Sequence, residues 1–308
     1  MENMMAAQIH QYGGPEVLAL ESVPRRRPGP GEVLIRVHAA GVNPVDWKIR
    51  AGYLKEFMPL SMPAILGADF AGEVEAVGVG VTHLREGGGV YGIAKAAYAE
   101  FVVAQEDRIA LKPRCVDFFQ AAGIPLAALT AWQALFDAGE LMEGQSVLVH
   151  GAAGGVGGFA VQLAKINGAY VIGTGSKRND SFLRELGADR VIDYRTTRFE
   201  NEVRDLDLVL DTQGGETQER SWNVLREGGT LVSIVEPPSQ AEAAKRLLKA
   251  KLVTHLPNAR DPEEITRLVE KWAAEGVCGS VVIACRGEAR SRDKSIGTYA
   301  RKIVLQVV

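Results

Sequence analysis

Apolar residues along this chain fall in short blocks, and the rhythm of those blocks changes once, near residue 121. From Met5 to about Val103, short apolar runs are punctuated by Gly and Pro, and Glu32-Val33-Leu34-Ile35-Arg36-Val37 alternates as a half-buried strand does. The Phe70–Val81 stretch has the same alternation, so this half predicts a small, barrel-like β-rich domain. Pro24 to Pro30, with three arginines between prolines, reads as a solvated loop joining two strands, because proline denies a ladder its N–H groups. Ile124 to Gly139 is an apolar run of helical length, and from Ser146 strands and helices alternate. The strands are Val147–His150, Tyr170–Thr174, Arg190–Asp193, Leu206–Thr212 and Thr230–Val235, with a helix to about Asn167 after the first. Near-continuous apolar strands with helical crossovers predict a doubly wound parallel sheet, so the fold class is α/β. Asp261-Pro262-Glu263-Glu264 supplies a cap, an N1 proline and first-turn acids for a helix to about Glu275. Strand character returns in Val281–Ile283 and Lys302–Val307, a tail expected to fold back onto the first domain.

Length sharpens the division, since 308 residues exceed the usual single core and favour two domains. With 46% hydrophobic and 24% charged residues the composition is that of a globular chain, and no apolar run reaches the ~18 residues of a membrane span. A net charge of −3 gives no electrostatic footprint for nucleic acid or for an acidic membrane. The three cysteines, Cys115, Cys278 and Cys285, form no C-x-x-C pair, so neither a disulfide framework nor a zinc cluster is indicated. The first five residues lack the basic flank and apolar core of a secretory signal, and a cytoplasmic location is expected.

The 34 glycines, about 11% against an average near ~7%, are densest in Val149-His150-Gly151-Ala152-Ala153-Gly154-Gly155-Val156-Gly157-Gly158. This run follows a strand and opens an amphipathic helix, the context in which a dinucleotide's pyrophosphate sits on the helix N-terminus. Gly154 and Gly157 take the second and third positions of the Gly-x-Gly-x-x-Gly pattern, while Ala152 replaces the first. Ala153, Gly154, Gly155 and Val156 are therefore candidate pyrophosphate contacts. At the end of the second strand, where NAD-binding chains carry an acid, this chain has Thr174-Gly175-Ser176-Lys177-Arg178. A carboxylate ~4 Å from a 2′-phosphate repels it by about 4 kcal/mol at an effective dielectric near 20, so the basic pair favours NADPH. Tyr194 is placed to add a hydroxyl to the same phosphate; a plain exposed turn at Lys177 and Arg178 is the competing interpretation.

Gly41-Val42-Asn43-Pro44-Val45-Asp46-Trp47, Ile65-Leu66-Gly67-Ala68-Asp69-Phe70-Ala71-Gly72-Glu73-Val74, Ala97-Tyr98-Ala99-Glu100-Phe101, Leu129-Thr130-Ala131-Trp132, Asp211-Thr212-Gln213-Gly214-Gly215 and Leu225–Val232 extend the pattern over nearly the whole chain. Together they resemble the zinc-independent medium-chain dehydrogenase/reductases, and most of all the NADPH:quinone oxidoreductases of the zeta-crystallin type. The resemblance implies a GroES-like catalytic domain over 1–122 and 270–308 and a Rossmann NADPH domain over 123–269. Zinc-dependent relatives have Cys where this chain has Asn43 and Gly-His-Glu where it has Gly67-Ala68-Asp69, and the cysteine-rich lobe after Tyr91 is missing, so no metal is expected. Histidines 10, 38, 83, 150 and 255 stand apart from ligand spacings and read as surface or packed residues. Without a Lewis acid, hydride transfer from NADPH to an electrophilic quinone, or to the β-carbon of an enone, is the implied reaction.

By the same resemblance Asn43 contacts the nicotinamide end or a substrate oxygen, Asp46 orients that loop, and Thr130 holds the nicotinamide ribose, with Thr212, Gly214 and Ile234 completing the cofactor contacts. Asn43 and Asp46 serve equally well as a turn and helix cap before Trp47. Tyr53 or Lys48 is a candidate proton donor, a solvent proton being the alternative. Glu86-Gly87-Gly88-Gly89 and the polar 284–294 segment depart from the family pattern, and Cys285 reads as an idle thiol. Lys251–His255 is expected as the last strand of the sheet, where family members pair as homodimers. A rival of another class is an NADPH-binding protein with a structural or RNA-associated role, which the mild acidity disfavours.

Overall fold

The computed structural model describes residues 2–253, Thr266 and 303–306. The expected helix over 261–275, the strand 281–283, His255, Cys278, Cys285 and the 284–294 segment lie outside the described residues. The chain divides into two compact units, one running to Leu126 and taking in the last strand, the other beginning at Ala127.

The first unit is built from β1 (Asn3–Ile9), β2 (Leu18–Pro24), β3 (Glu32–Val42), α1 (Pro44–Arg50), β4 (Ala64–Ile65), β5 (Asp69–Val77), β6 (Gly89–Ile93), β7 (Phe101–Gln105), β8 (Ile109–Leu111) and α2 (Phe118–Ala122). Strands β2, β1 and β4 form one antiparallel sheet. A second sheet is centred on β3, which pairs with β5 along its length and with β7 through its first half. The last strand of the chain, Ile303–Gln306, runs antiparallel to residues 39–42 of β3.

Central placement explains the one pattern in β3 that departs from expectation. Val33, Leu34 and Ile35 are buried in succession instead of alternating. Both faces of the strand are covered, so each apolar side chain contributes roughly 1.5–3 kcal/mol of burial wherever it points. The Pro24–Pro30 loop also differs from a freely solvated turn at one residue. Arg25 lies over the Phe101 ring, 3.7 Å from its centroid, and its guanidinium reaches Glu2 and Glu75 at 3.1 and 2.9 Å.

The second unit opens within α3 (Pro125–Trp132), whose first two residues belong to the first unit and which widens into a π-helical turn over Gln133–Ala138. Then follow β9 (Ser146–Val149), α4 (Gly155–Ile166), β10 (Tyr170–Gly175), α5 (Asp180–Glu185), β11 (Arg190–Asp193), β12 (Leu206–Asp211), α6 (Gly215–Ser221), β13 (Leu225–Ser233), α7 (Gln240–Lys245) and β14 (Lys249–Leu252). All six strands are parallel, in the order β11-β10-β9-β12-β13-β14. That is the 3-2-1-4-5-6 order of a doubly wound dinucleotide fold, reversing direction between β9 and β12. Leu148, Ile172, Val209 and Leu231 pack in its core with Phe199 and Trp222. Among the described residues the sheet's last strand is Lys249–Leu252, which begins two residues before the expected Lys251–His255 and pairs Leu252 with Ser233 of β13. Strand β13 begins at Leu225, ahead of the expected Thr230, with a register shift that accommodates the left-handed Gly228.

Candidate functional site

Ligands of open parallel sheets bind outside the carboxyl ends of the strands, at the point where strand order reverses. Here that point lies between β9 and β12, and the loops leaving these two strands are 150–154 and 212–214. The first loop turns at Gly151, which has φ +60°, and Gly154 N–H closes it onto Gly151 O at 2.9 Å. A Cβ on Gly151 would stand 2.5 Å from Thr212 Oγ1, and one on Gly157 2.3 Å from Gly151 O. The tight turn expected at the position held by Ala152 is thus made one residue earlier, and Ala152 is fully buried against the sheet. Helix α4 begins at Gly155, with Gly154 in extended geometry as its cap. Its first-turn N–H groups, those of Gly155, Val156 and Gly157, have no intrahelical acceptor, which suits them to a pyrophosphate.

At the end of β10, Ser176 is buried while Lys177 and Arg178 are exposed. Among the described residues neither cation has a salt-bridge partner, whereas nearby Arg184 is paired with Asp180 at 2.9 Å. Tyr194 is half exposed just beyond β11, its N–H directed to Gly175 O at 3.3 Å. Ile234 follows β13 and donates its N–H to Asp211 O at 3.1 Å. Thr130 sits on α3 and is buried. Apart from Thr130, then, the expected cofactor residues converge on one end of the parallel sheet.

Two further groups, given no site role by the sequence, shape this end of the sheet. Asp211, fully buried at the end of β12, accepts from the N–H groups of Gln213 and Gly214 at 2.9 Å each, and from Gln218 Nε2 and Ser233 Oγ at 3.0 Å each. Four donors on one carboxylate fix the 212–214 loop. His150 is buried, with Nδ1 3.3 Å from Thr174 Oγ1 and Nε2 2.9 Å from Ser221 Oγ. Burial pushes its pKa down to about 4 against the pull of Asp211 and Glu200, with Arg220 acting in the same direction as burial.

In the first unit Asn43 caps α1, and its N–H donates to Asp46 Oδ2 at 2.6 Å. Its side-chain Nδ2 donates to Asp69 Oδ2 at 3.0 Å, and Asp69 Oδ1 accepts from Leu126 N–H at 3.0 Å. Tyr98, not singled out as a site residue, donates its hydroxyl to Asp46 Oδ2 at 2.7 Å. Burial, then the facing Asp46 carboxylate, hold that hydroxyl far above its ordinary pKa, so it is a fixed donor. The cap arrangement for Asn43 and Asp46 is therefore present, built into a buried cluster. Tyr53 is not part of it. It is 71% exposed and meets the Trp47 ring edge-on at 5.7 Å. Replacing Tyr98 by Phe removes one donor to the Asp46 carboxylate, and should cost about 1.5–3 kcal/mol in urea unfolding, the worth of a hydrogen bond to a charged group; an unchanged midpoint would show the bond contributes nothing.

Two family models match the chain: the alcohol dehydrogenase GroES-like domain over residues 29–114 and the zinc-binding dehydrogenase domain over 155–274. The Arabidopsis thaliana chloroplast envelope quinone oxidoreductase homolog is 35% identical over 297 residues, 90% of either chain. The zebrafish mitochondrial NAD(P)H oxidoreductase RTN4IP1 is 36% identical over 233 residues, 68% of this chain, which spans 60% of that protein's length. Tomato 2-methylene-furan-3-one reductase is 38% identical over 253 residues, 76% of this chain and 64% of its own. Among solved structures, the quinone oxidoreductase of Coxiella burnetii superposes with a TM-score of 0.81 at 33% identity over 100% of both chains. The Escherichia coli quinone oxidoreductase complexed with NADPH gives 0.78 at 30% identity over 89% of each. A GroES-like unit and a doubly wound unit in one chain are the domain pair of the medium-chain dehydrogenase/reductases. The chain belongs to that family, among its quinone oxidoreductases, and is an oxidoreductase.

Proposed function

We propose that this protein transfers hydride from NADPH to a quinone without a metal ion. The observation that carries the proposal is the conjunction at the carboxyl end of the sheet: a glycine turn at the strand-order reversal and, beyond β10, two cations without ion-pair partners among the described residues. The chain's residues fit the cofactor: first-turn amides of α4 for the pyrophosphate, Ser176, Lys177, Arg178 and Tyr194 for the 2′-phosphate, and Thr130, Thr212, Gly214 and Ile234 toward the nicotinamide half. When bound, NADPH supplies the hydride, and the protein's part is orientation and exclusion of water. Asn43 and Asp46, held by Tyr98 and Asp69, orient the acceptor end; Tyr53, exposed, is the weaker candidate for a proton donor, and solvent serves in its place.

Zinc independence rests on the donor set. Asn43 and Asp69 are hydrogen-bonded to one another and Ala68 offers no ligand atom, so the positions where zinc-dependent relatives place donors are otherwise engaged. The same proposal includes the domain division 1–122 with 270–308 against 123–269, and a cytoplasmic homodimer paired through β14, which forms one edge of the parallel sheet among the described residues. A monomer in sedimentation at micromolar concentration would remove the dimer. No helix among the described residues is long and apolar enough to cross a membrane.

The deciding experiment follows NADPH oxidation with ortho-quinones, para-quinones and short enones in parallel. Quinone turnover supports the proposal, and turnover of enones alone transfers it to the reductase activity named for the tomato relative. Tight NADPH binding with no turnover supports the structural role. Removing both cations in Lys177→Ala/Arg178→Ala should weaken NADPH binding at least tenfold and leave NADH binding within about twofold, since two charge-assisted contacts at an exposed site are worth roughly 1.5–3 kcal/mol together. Equal losses for both cofactors would contradict the 2′-phosphate assignment.

A further inference from the structure

We propose that His150 is a positioning residue for the dinucleotide loop: a neutral imidazole carrying its proton on Nε2, it fastens the turn after β9 to helix α6 through the hydroxyls of Thr174 and Ser221. The inference rests on the dinucleotide assignment of that loop and adds a residue to it.

The assignment follows from accounting for each donor and acceptor. Gly151 N–H donates to Thr174 Oγ1 at 3.1 Å, which occupies a lone pair of that hydroxyl and leaves its proton for His150 Nδ1. On the other side, Ser221 Oγ donates to Thr217 O at 2.7 Å, so its lone pair is what faces His150 Nε2. A single direction satisfies all of them: Thr174 O–H to Nδ1, and Nε2–H to Ser221. Both ring nitrogens are then paired with no charge in the interior, the state that burial favours. Phe199 meets the ring edge-on at 4.6 Å and fixes its plane.

Three further bonds make this a junction of the two loops at the strand-order reversal. Thr212 Oγ1 donates to His150 O at 2.7 Å, Ala152 N–H to Thr174 O at 3.0 Å, and His150 N–H to Leu210 O at 3.0 Å. Gly151 has no side chain to hold its left-handed conformation, so the turn depends on these neighbours. An imidazole protonated on Nδ1, or a charged one, turns the Thr174 proton away and leaves that buried hydroxyl without its acceptor, which weakens the hold of Thr174 on the Gly151 N–H. The residue acts on where the amides point, hence on cofactor binding more than on the hydride step.

The test uses the full chain with four proteins: wild type, His150→Phe, His150→Gln and Thr174→Val. NADPH affinity is read by fluorescence titration, turnover with a 1,4-naphthoquinone acceptor, and the imidazole tautomer by long-range 1H–15N correlation. His150→Phe and Thr174→Val should each raise the Kd and KM for NADPH about tenfold, the size expected when a buried partner is left unpaired. Their kcat should stay within about twofold, the signature of lost binding without lost transition-state contact. His150→Gln, which can still accept and donate, should recover most of the affinity. In the wild type the spectrum should show the Nε2–H form from about pH 5 to about pH 8. Should His150→Phe fail to fold, Thr174→Val and the wild-type spectrum carry the test. Variants that bind NADPH as tightly as a binding-competent wild type, or an Nδ1–H or charged ring at neutral pH, overturn the inference. A wild type with no NADPH affinity overturns instead the assignment of the loop on which it rests.

Discussion

Gly157→Ala is expected to reduce NADPH affinity by more than about a hundredfold and to lower the unfolding midpoint, although alanine is the better helix former by roughly 1 kcal/mol. The added methyl would lie 2.3 Å from Gly151 O, 2.8 Å from Ala152 Cα and 2.9 Å from Gly151 C. All three are backbone atoms of the turn itself, so no side chain can rotate out of the way. Either α4 lifts from the turn or the turn leaves its left-handed geometry, and overpacking of this kind costs about 1–3 kcal/mol before any ligand is considered. Both movements displace the first-turn amides of α4, and donors of a binding site have to hold within about 0.5 Å of their place. Isothermal titration with NADPH reads the first effect and thermal unfolding the second. Affinity within about threefold of wild type would mean that the loop tolerates a Cβ there and that its close packing is not what shapes the site.

Much of this arrangement was legible in the sequence because it is local. The apolar strands at 147–150, 170–174, 190–193 and 206–212 and the glycine run at 151–158 define a parallel sheet with a ligand loop at its carboxyl end, needing no information beyond about thirty residues. The placement of the tight turn was legible to within one residue: it falls on Gly151 because Ala152 is consumed in packing against Gly173 of β10. What the sequence could not show are contacts made across the fold. Tyr98 reaches Asp46 over 52 positions, and His150 reaches Ser221 over 71. In sequence His150 looked isolated because its partners are hydroxyls, which carry no spacing signature of the kind that cysteines or acids do. The alternation in 32–37 misled for a similar reason, since burial on both faces of β3 is decided by which strands it joins.

Acidification from pH 6.5 to about 4 should remove on the order of 3 kcal/mol of stability through His150 alone. The folded protein holds this imidazole at about 4, below its ordinary 6.5, so between those values the unfolded chain binds a proton that the folded chain refuses. Stability is therefore full above 6.5 and declines as pH falls toward the folded value. The carboxylates that are held low in the folded state act in a different window. Asp189 and Asp207 start from an ordinary 3.8 and Glu200 from 4.5, and each is lowered, so their contributions are intact above those values and are lost only in stronger acid. Glu21, Glu140 and Glu242, also lowered from 4.5, belong to the same acid window, so urea unfolding at about pH 7 and about pH 5 reads chiefly the histidine. His150→Gln keeps a donor and an acceptor but does not titrate, and the variant should show a much flatter dependence over this interval, with the two proteins closest in stability at the acid end. Parallel slopes for wild type and variant would place the proton elsewhere and mean that the His150 ring is not held neutral by its burial. A slope present in wild type and absent in the variant ties the acid sensitivity of the fold to the residue that secures the Gly151 turn.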